Sequence, residues 1–146
     1  MILSFVESQL PVLVAIPGIK LGLTNIVVLF ALYGMDYKAA AFINLVRIVL
    51  VGILFGTILS FGFSLAGGIL SFLTMSLLKR TDKFSIIAVS AAGGVAHNIG
   101  QILVAMIVLN TRAIALYLPI LWISGIISGI LIGVIGGIVV NRVSKV

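Results

Sequence analysis

Cysteine is absent from this chain, and only three of its 146 residues are acidic. The first absence excludes disulfides, thiolate metal sites and thiol nucleophiles. The second leaves Glu7, Asp36 and Asp82 as the only carboxylate side chains. That is too few for a catalyst that gathers several aspartates around magnesium and a diphosphate. A lone histidine, His97, is a poor basis for a metal site, because most metals take three or more protein ligands. No G-x-x-x-x-G-K-[ST] run occurs, so the chain hydrolyses no nucleotide by a P-loop. Neither cofactor nor metal is expected. Charged residues of both signs make up 8% of the chain, whereas a soluble domain carries about 25%.

What the chain has instead is hydrophobic length. Apolar residues make up 62% of it and its mean hydropathy is +1.42. Uncharged stretches cover residues 48–78, 84–111 and 113–141, each exceeding the roughly 20 residues that cross a bilayer. The first is longer than one helix needs, and its Ser60-Phe61-Gly62-Phe63-Ser64 run favours a turn, which splits it in two. The periodicity predicts helices near 1–9, 20–35, 38–57, 62–79, 84–110 and 114–141. The expected fold is an all-α integral membrane bundle of about six transmembrane helices, one domain over residues 1–146. Residues 1–9 are too short to span alone, so this helix either continues upstream or is a half-span packed on its neighbours. They lack a basic n-region and an A-x-A site, so no cleavable signal peptide is expected. The apolar loop 10–19, with Pro11 and Pro17, must rest on protein or at the interface, since lipid cannot satisfy irregular backbone.

The net charge of +6 records topology rather than nucleic-acid binding, for which no partner is expected. Alternating six spans puts Asp36, Lys38, Lys79, Arg80, Asp82, Lys83, Arg142 and Lys145 on one side, and Lys20 and Arg112 on the other. The positive-inside rule makes the first side cytoplasmic, with both termini there and the Pro-containing loop outside.

A few polar residues fall inside the spans. Arg47 lies roughly 13 Å from the cytoplasmic end of its helix, near mid-bilayer, where a charge must find a partner or a wet cavity. Asn44, at i−3, shares its face. Two readings stand: a structural ion pair or carbonyl contact, and an anchor for an anionic ligand. His97 and Gln101 lie on one helix face at i and i+4, with Asn98 beside them, about 19 Å up from Phe84. Asn25, Lys20 and Glu7 fall at similar outer depths. These groups either bond helices together or converge on an outward-facing pocket under the 10–19 loop. Gly125, Gly129, Gly133 and Gly137 recur at i+4, and Gly52 and Gly56 do so once. Such faces are packing seams or a docking surface for another membrane protein.

Glu7, the run Pro17-Gly18-Ile19-Lys20-Leu21-Gly22-Leu23-Thr24-Asn25, Arg47, Leu65-Ala66-Gly67-Gly68 and Ala96-His97-Asn98-Ile99-Gly100-Gln101 resemble a bacterial family over essentially the whole chain. This is the Gx transporter family, also labelled heptaprenyl diphosphate synthase component I. The resemblance implies a protein similar to the S components of energy-coupling factor transporters, six-helix membrane subunits that capture vitamins beneath an outer loop. It implies as partners a transmembrane coupling protein and cytoplasmic ATPases, and a place in the bacterial cell membrane. The substrate-binding set would be Glu7, Lys20, Asn25, Arg47, His97, Asn98 and Gln101. Arg47 and Lys20 suit a carboxylate or phosphate, and the other polar groups a heteroaromatic or carbonyl, so the expected ligand is a vitamin, flavin-like or quinone-related precursor. The family's second label implies the alternative, a noncatalytic membrane component in long-chain prenyl diphosphate synthesis for quinones.

The loop charges make a direct prediction. A cysteine replacing Asp82 or Ser144 should be shielded from impermeant thiol reagents in intact cells, and one replacing Thr111 should be labelled. Labelling at position 82 would reverse the orientation.

Overall fold

The computed structural model describes residues 25–55 and 57–145, where every regular element is helical. These residues form α1 (Asn25–Gly34), α2 (Tyr37–Phe55), α3 (Ile58–Arg80), α4 (Ile86–Val108) and α5 (Leu118–Val143), with a 3-10 turn over Ala113–Tyr117 leading into α5. Four segments are long and apolar enough to cross a membrane: Tyr37–Leu54, Ile58–Arg80, Ile86–Val108 and Ala113–Val143. The ten-residue α1 is apolar but shorter. The protein is thus a multi-pass membrane protein. The expected helix 1–9, the loop 10–19, residues 20–24, Glu7, Lys20 and Gly56 lie outside the described residues.

Helix ends are set by local chemistry. Asp36 Oδ1 accepts from Ala39 N at 2.6 Å and starts α2. Thr57 Oγ1 accepts from Ser60 N, and Ser85 Oγ from Ala88 N, both at 3.2 Å, so each satisfies an orphan donor at an N-terminus. The break between α2 and α3 therefore falls at Thr57, upstream of the expected turn at 60–64. Gly62 and Ser64 are helical because the small side packs inward: Ser64 is buried, and Gly62 lies against Val104. Asp82 and Asn110 take left-handed φ values of 52° and 46° just past α3 and α4, positions where short polar residues are tolerated. The last span starts with the 3-10 turn, and α5 itself begins at Leu118, with Pro119 in its first turn where a missing N–H costs nothing.

α4 is the central helix, sandwiched between α3 and α5, while α1 bridges α2 and α5. Glycine makes these approaches possible. A Cβ on Gly94 would collide with the Gly125 carbonyl oxygen, and one on Gly129 would lie 2.5 Å from Ala91 Cα. On the opposite flank of α4, a Cβ on Gly100 would lie 2.6 Å from the Ala66 carbonyl oxygen of α3. Gly133 and Gly137 continue the α5 seam against Ile87 and Ile86, so Gly125, Gly129, Gly133 and Gly137 all face α4. The contact of Gly137 with Ile86 also brings the end of α5 to the start of α4. Lys79 does the same for three helices, lying 5.0 Å from the Tyr33 ring and 4.8 Å from the Tyr37 ring. Asp36, Lys38, Lys79, Arg80, Asp82, Lys83, Arg142 and Lys145 accordingly share one end of the bundle, hereafter the charged end.

Two apolar clusters fill the interior. Val28, Leu29, Leu32, Met75, Val89 and Ile132 pack toward the charged end. Phe63, Ile102, Ala105, Ile114 and Leu121 pack toward the other. The outer faces are equally apolar: Ile53 on α2, Ile107 on α4 and Ile123 on α5 are exposed, the expected state for lipid-facing positions.

Gly94→Ala should therefore lower stability by about 1–3 kcal/mol through overpacking at a backbone contact. Ile127→Ala, on the exposed face of α5, should change it little. Thermal unfolding in detergent compares the two, and equal melting temperatures would contradict the seam.

Candidate functional site

Between the two apolar clusters lies a layer of polar and small residues. Counted from the charged end, Asn25, Asn44, Arg47, Ser71 and His97 sit about 10–17 Å along helices of which the longer are about 34 Å. The layer is thus near mid-height. His97 comes out lower than the expected outer depth because α4 starts at Ile86 rather than Phe84.

The layer is organised around Gly67 and Gly68 of α3. On one side, Arg47 of α2 donates from Nη2 to Asn44 Oδ1 at 2.8 Å, and Asn44 Nδ2 donates to the Gly68 carbonyl at 3.1 Å. A Cβ on Gly68 would sit 3.3 Å from Arg47 Nη2. On the other side, a Cβ on Gly67 would sit 2.9 Å from His97 Nδ1. His97 Nε2 and the Gln101 side-chain amide lie 3.0 Å apart, at hydrogen-bonding distance. Both side chains are buried, Gln101 completely. Two adjacent glycines thus form a thin backbone wall, with the guanidinium on one side and the imidazole on the other.

Two expected members stand apart. Asn25 Nδ2 donates to Ser71 Oγ at 3.0 Å, tying α1 to α3 one turn closer to the charged end. Asn98 does not share the His97–Gln101 face. Its Nδ2 donates to the Leu121 carbonyl of α5 at 2.6 Å, and it lies against Gly125. One residue of helical advance turns a side chain about 100°, enough to send Asn98 to α5 while its neighbour faces α3. Its Oδ1 is buried and has no hydrogen-bond partner among the described residues.

The described members therefore form separate linked sets rather than one ring of groups around a point. Ser71 and the Gly67-Gly68 wall are the parts that reading for polar residues passes over. Their signal is the small-residue stripe Ser64, Gly67, Ser71 along α3, which faces α4 across Gly93, His97 and Gly100. A guanidinium, an imidazole and two amides at this depth can bind an anion or a polar planar group, and can equally join helices.

A family model described as heptaprenyl diphosphate synthase component I matches residues 1–139. The chain belongs to that family. No curated protein and no solved structure matches it. The match runs through all the residues of the polar layer, from Asn25 to Gln101.

The Asn25–Ser71 link tests how much this layer contributes to stability. Asn25→Ala and Ser71→Ala, combined in a double-mutant cycle in detergent, should show a coupling of about 0.6 kcal/mol, the usual size for buried interhelical hydrogen bonds in membranes. Strict additivity would remove the bond.

Proposed function

We propose that this protein is a substrate-capture membrane subunit, similar to the S components of energy-coupling factor transporters, that binds a small anionic or heteroaromatic molecule at the polar layer. In this reading the bundle has six spans with both termini cytoplasmic, resides in the bacterial cell membrane, and works with a transmembrane coupling protein and cytoplasmic ATPases. It supplies recognition and leaves the energy to them, which suits a chain without a nucleotide-binding motif.

The observation that carries the reading is Arg47. Its guanidinium lies about ten residues into a spanning helix, held by Asn44 and against Gly68, while His97 lies against the adjacent Gly67. A charge at that depth is expensive and usually marks a substrate or ion pathway. The wall beside it is close-packed, since a Cβ on Gly68 would lie 2.6 Å from Ile48 Cδ1 and 3.3 Å from the guanidinium.

A second reading, a noncatalytic membrane component in prenyl diphosphate synthesis, is favoured by the description of the family. With only three acidic residues in the chain, such a component would anchor or regulate a separate, aspartate-rich synthase rather than perform the condensation.

Gently purified protein examined by native mass spectrometry should carry a small molecule, and Arg47→Gln should weaken its retention by about 2 kcal/mol, roughly thirtyfold. The melting temperature of the variant should stay near that of the parent. Loss of stability with retention unchanged would make Arg47 structural and sink the reading. Co-purification of ATPases with a coupling protein supports uptake, whereas co-purification of a soluble synthase supports the second reading.

A further inference from the structure

At the charged end, a groove of about 300 Å³ opens on the lipid-facing surface between the start of α2 and the end of α3. Its mouth is basic. Lys38 lies in the first turn of α2 and Arg80 ends α3, both exposed, and neither pairs with a carboxylate among the described residues. The two nearby acids are otherwise placed: Asp36 caps α2 through Ala39 N, and Asp82 sits in the left-handed turn beyond α3. Lys79 also stays out of the groove, since its ammonium donates to the Leu32 carbonyl and lies against Tyr33 and Tyr37.

Moving inward from the mouth, the lining changes character. Ser76, one turn in from Arg80, contributes a buried hydroxyl that has no hydrogen-bond partner among the described residues. Beyond it the walls are Phe72, Leu73 and Leu77, of which the two leucines are half exposed or more toward lipid. From Arg80 to Phe72 the groove follows α3 for about 12 Å. Two cations, then an unsatisfied donor, then an apolar channel open sideways form, in order, the complement of a phosphate headgroup, its ester region and a hydrocarbon chain. Basic clefts between spanning helices at a membrane surface bind such headgroups. An orphaned buried hydroxyl is costly unless something bonds to it.

We propose that this groove is a binding site for an anionic phospholipid of the leaflet facing the charged loops. The phosphate sits between Lys38 and Arg80, Ser76 donates to an ester or phosphate oxygen, and one acyl chain lies along Leu73 and Leu77. The lateral opening favours a bilayer lipid over a water-borne anion, because the apolar part of the groove is entered from the hydrocarbon side.

The test uses the full chain in mixed micelles or nanodiscs with phosphatidylglycerol and phosphatidylcholine at equal mole fraction, with retained lipids counted by native mass spectrometry. The parent protein should retain phosphatidylglycerol in preference, and Lys38→Gln with Arg80→Gln should reduce that preference by about tenfold or more. Ser76→Ala should reduce it by about threefold. Lys38→Arg with Arg80→Lys should preserve it, and Arg112→Gln, at the other end, should leave it unchanged. Both groove cations are exposed, and an unaltered melting temperature verifies that the neutral variant is folded. Undiminished preference in the folded neutral variant overturns the proposal. So does displacement of the retained lipid by farnesyl diphosphate at a far lower concentration, which would assign the groove to a soluble isoprenoid diphosphate instead.

Discussion

Helices in a bilayer gain nothing by hiding apolar surface from one another, since lipid tails are as apolar as leucine. What holds α4 between α3 and α5 is contact between backbones, and that contact exists only where Cβ atoms are missing. Gly94 against Gly125, Gly129 against Ala91 and Gly100 against Ala66 leave no room for a methyl group. The position of every polar side chain on α4 follows from this. His97 meets the Gly67 backbone because α3 comes that close, and Asn98 reaches the Leu121 carbonyl because α5 does.

The polar layer then has a structural logic independent of any ligand. Each of the two apolar clusters is a set of side chains without directional bonds, which by themselves would specify register only weakly. Hydrogen bonds of defined length between Asn25 and Ser71, and between Asn44 and Gly68, can be made in one register only. In hydrocarbon the alternative to each bond is an unsatisfied polar group, so the layer selects the register even though each bond contributes little. A binding role for Arg47 is compatible with this, because the same glycine wall that admits Asn44 leaves the guanidinium flanked by backbone.

At the charged end, aromatic and basic residues share the work of marking the membrane boundary. Tyr33 and Tyr37 hold Lys79 between their rings, and Arg80 lies 5.6 Å from the Tyr37 ring. Long cationic side chains at helix ends reach for water while their stems cover apolar surface, and cations are also favoured at a helix C-terminus. The result is a three-helix corner beside which Lys38 and Arg80 line the adjoining groove.

Hydrophobic run lengths and loop charges are local properties, and they made most of the fold legible in advance. The membrane class, the separate spans between residues 37 and 143, and the gathering of Lys38, Lys79, Lys83 and Arg142 at one end all follow from counting along the chain. The i and i+4 spacing of His97 with Gln101, and the i−3 spacing of Asn44 with Arg47, likewise give true side-chain contacts, because a helix determines them alone. Where local signals competed, counting erred. Gly62 and two serines look like a turn, but Thr57 offers the stronger cap and the small residues serve packing instead. What only the tertiary structure decided is which helix each polar group meets. Asn98 turned to α5 rather than joining His97, Ser71 emerged as the partner of Asn25, and Gly67-Gly68 became the wall between Arg47 and His97. A helix presents residues all around its axis, and when nearly every face is apolar no periodicity tells one from another. The choice of neighbour is made by where glycines let two backbones touch.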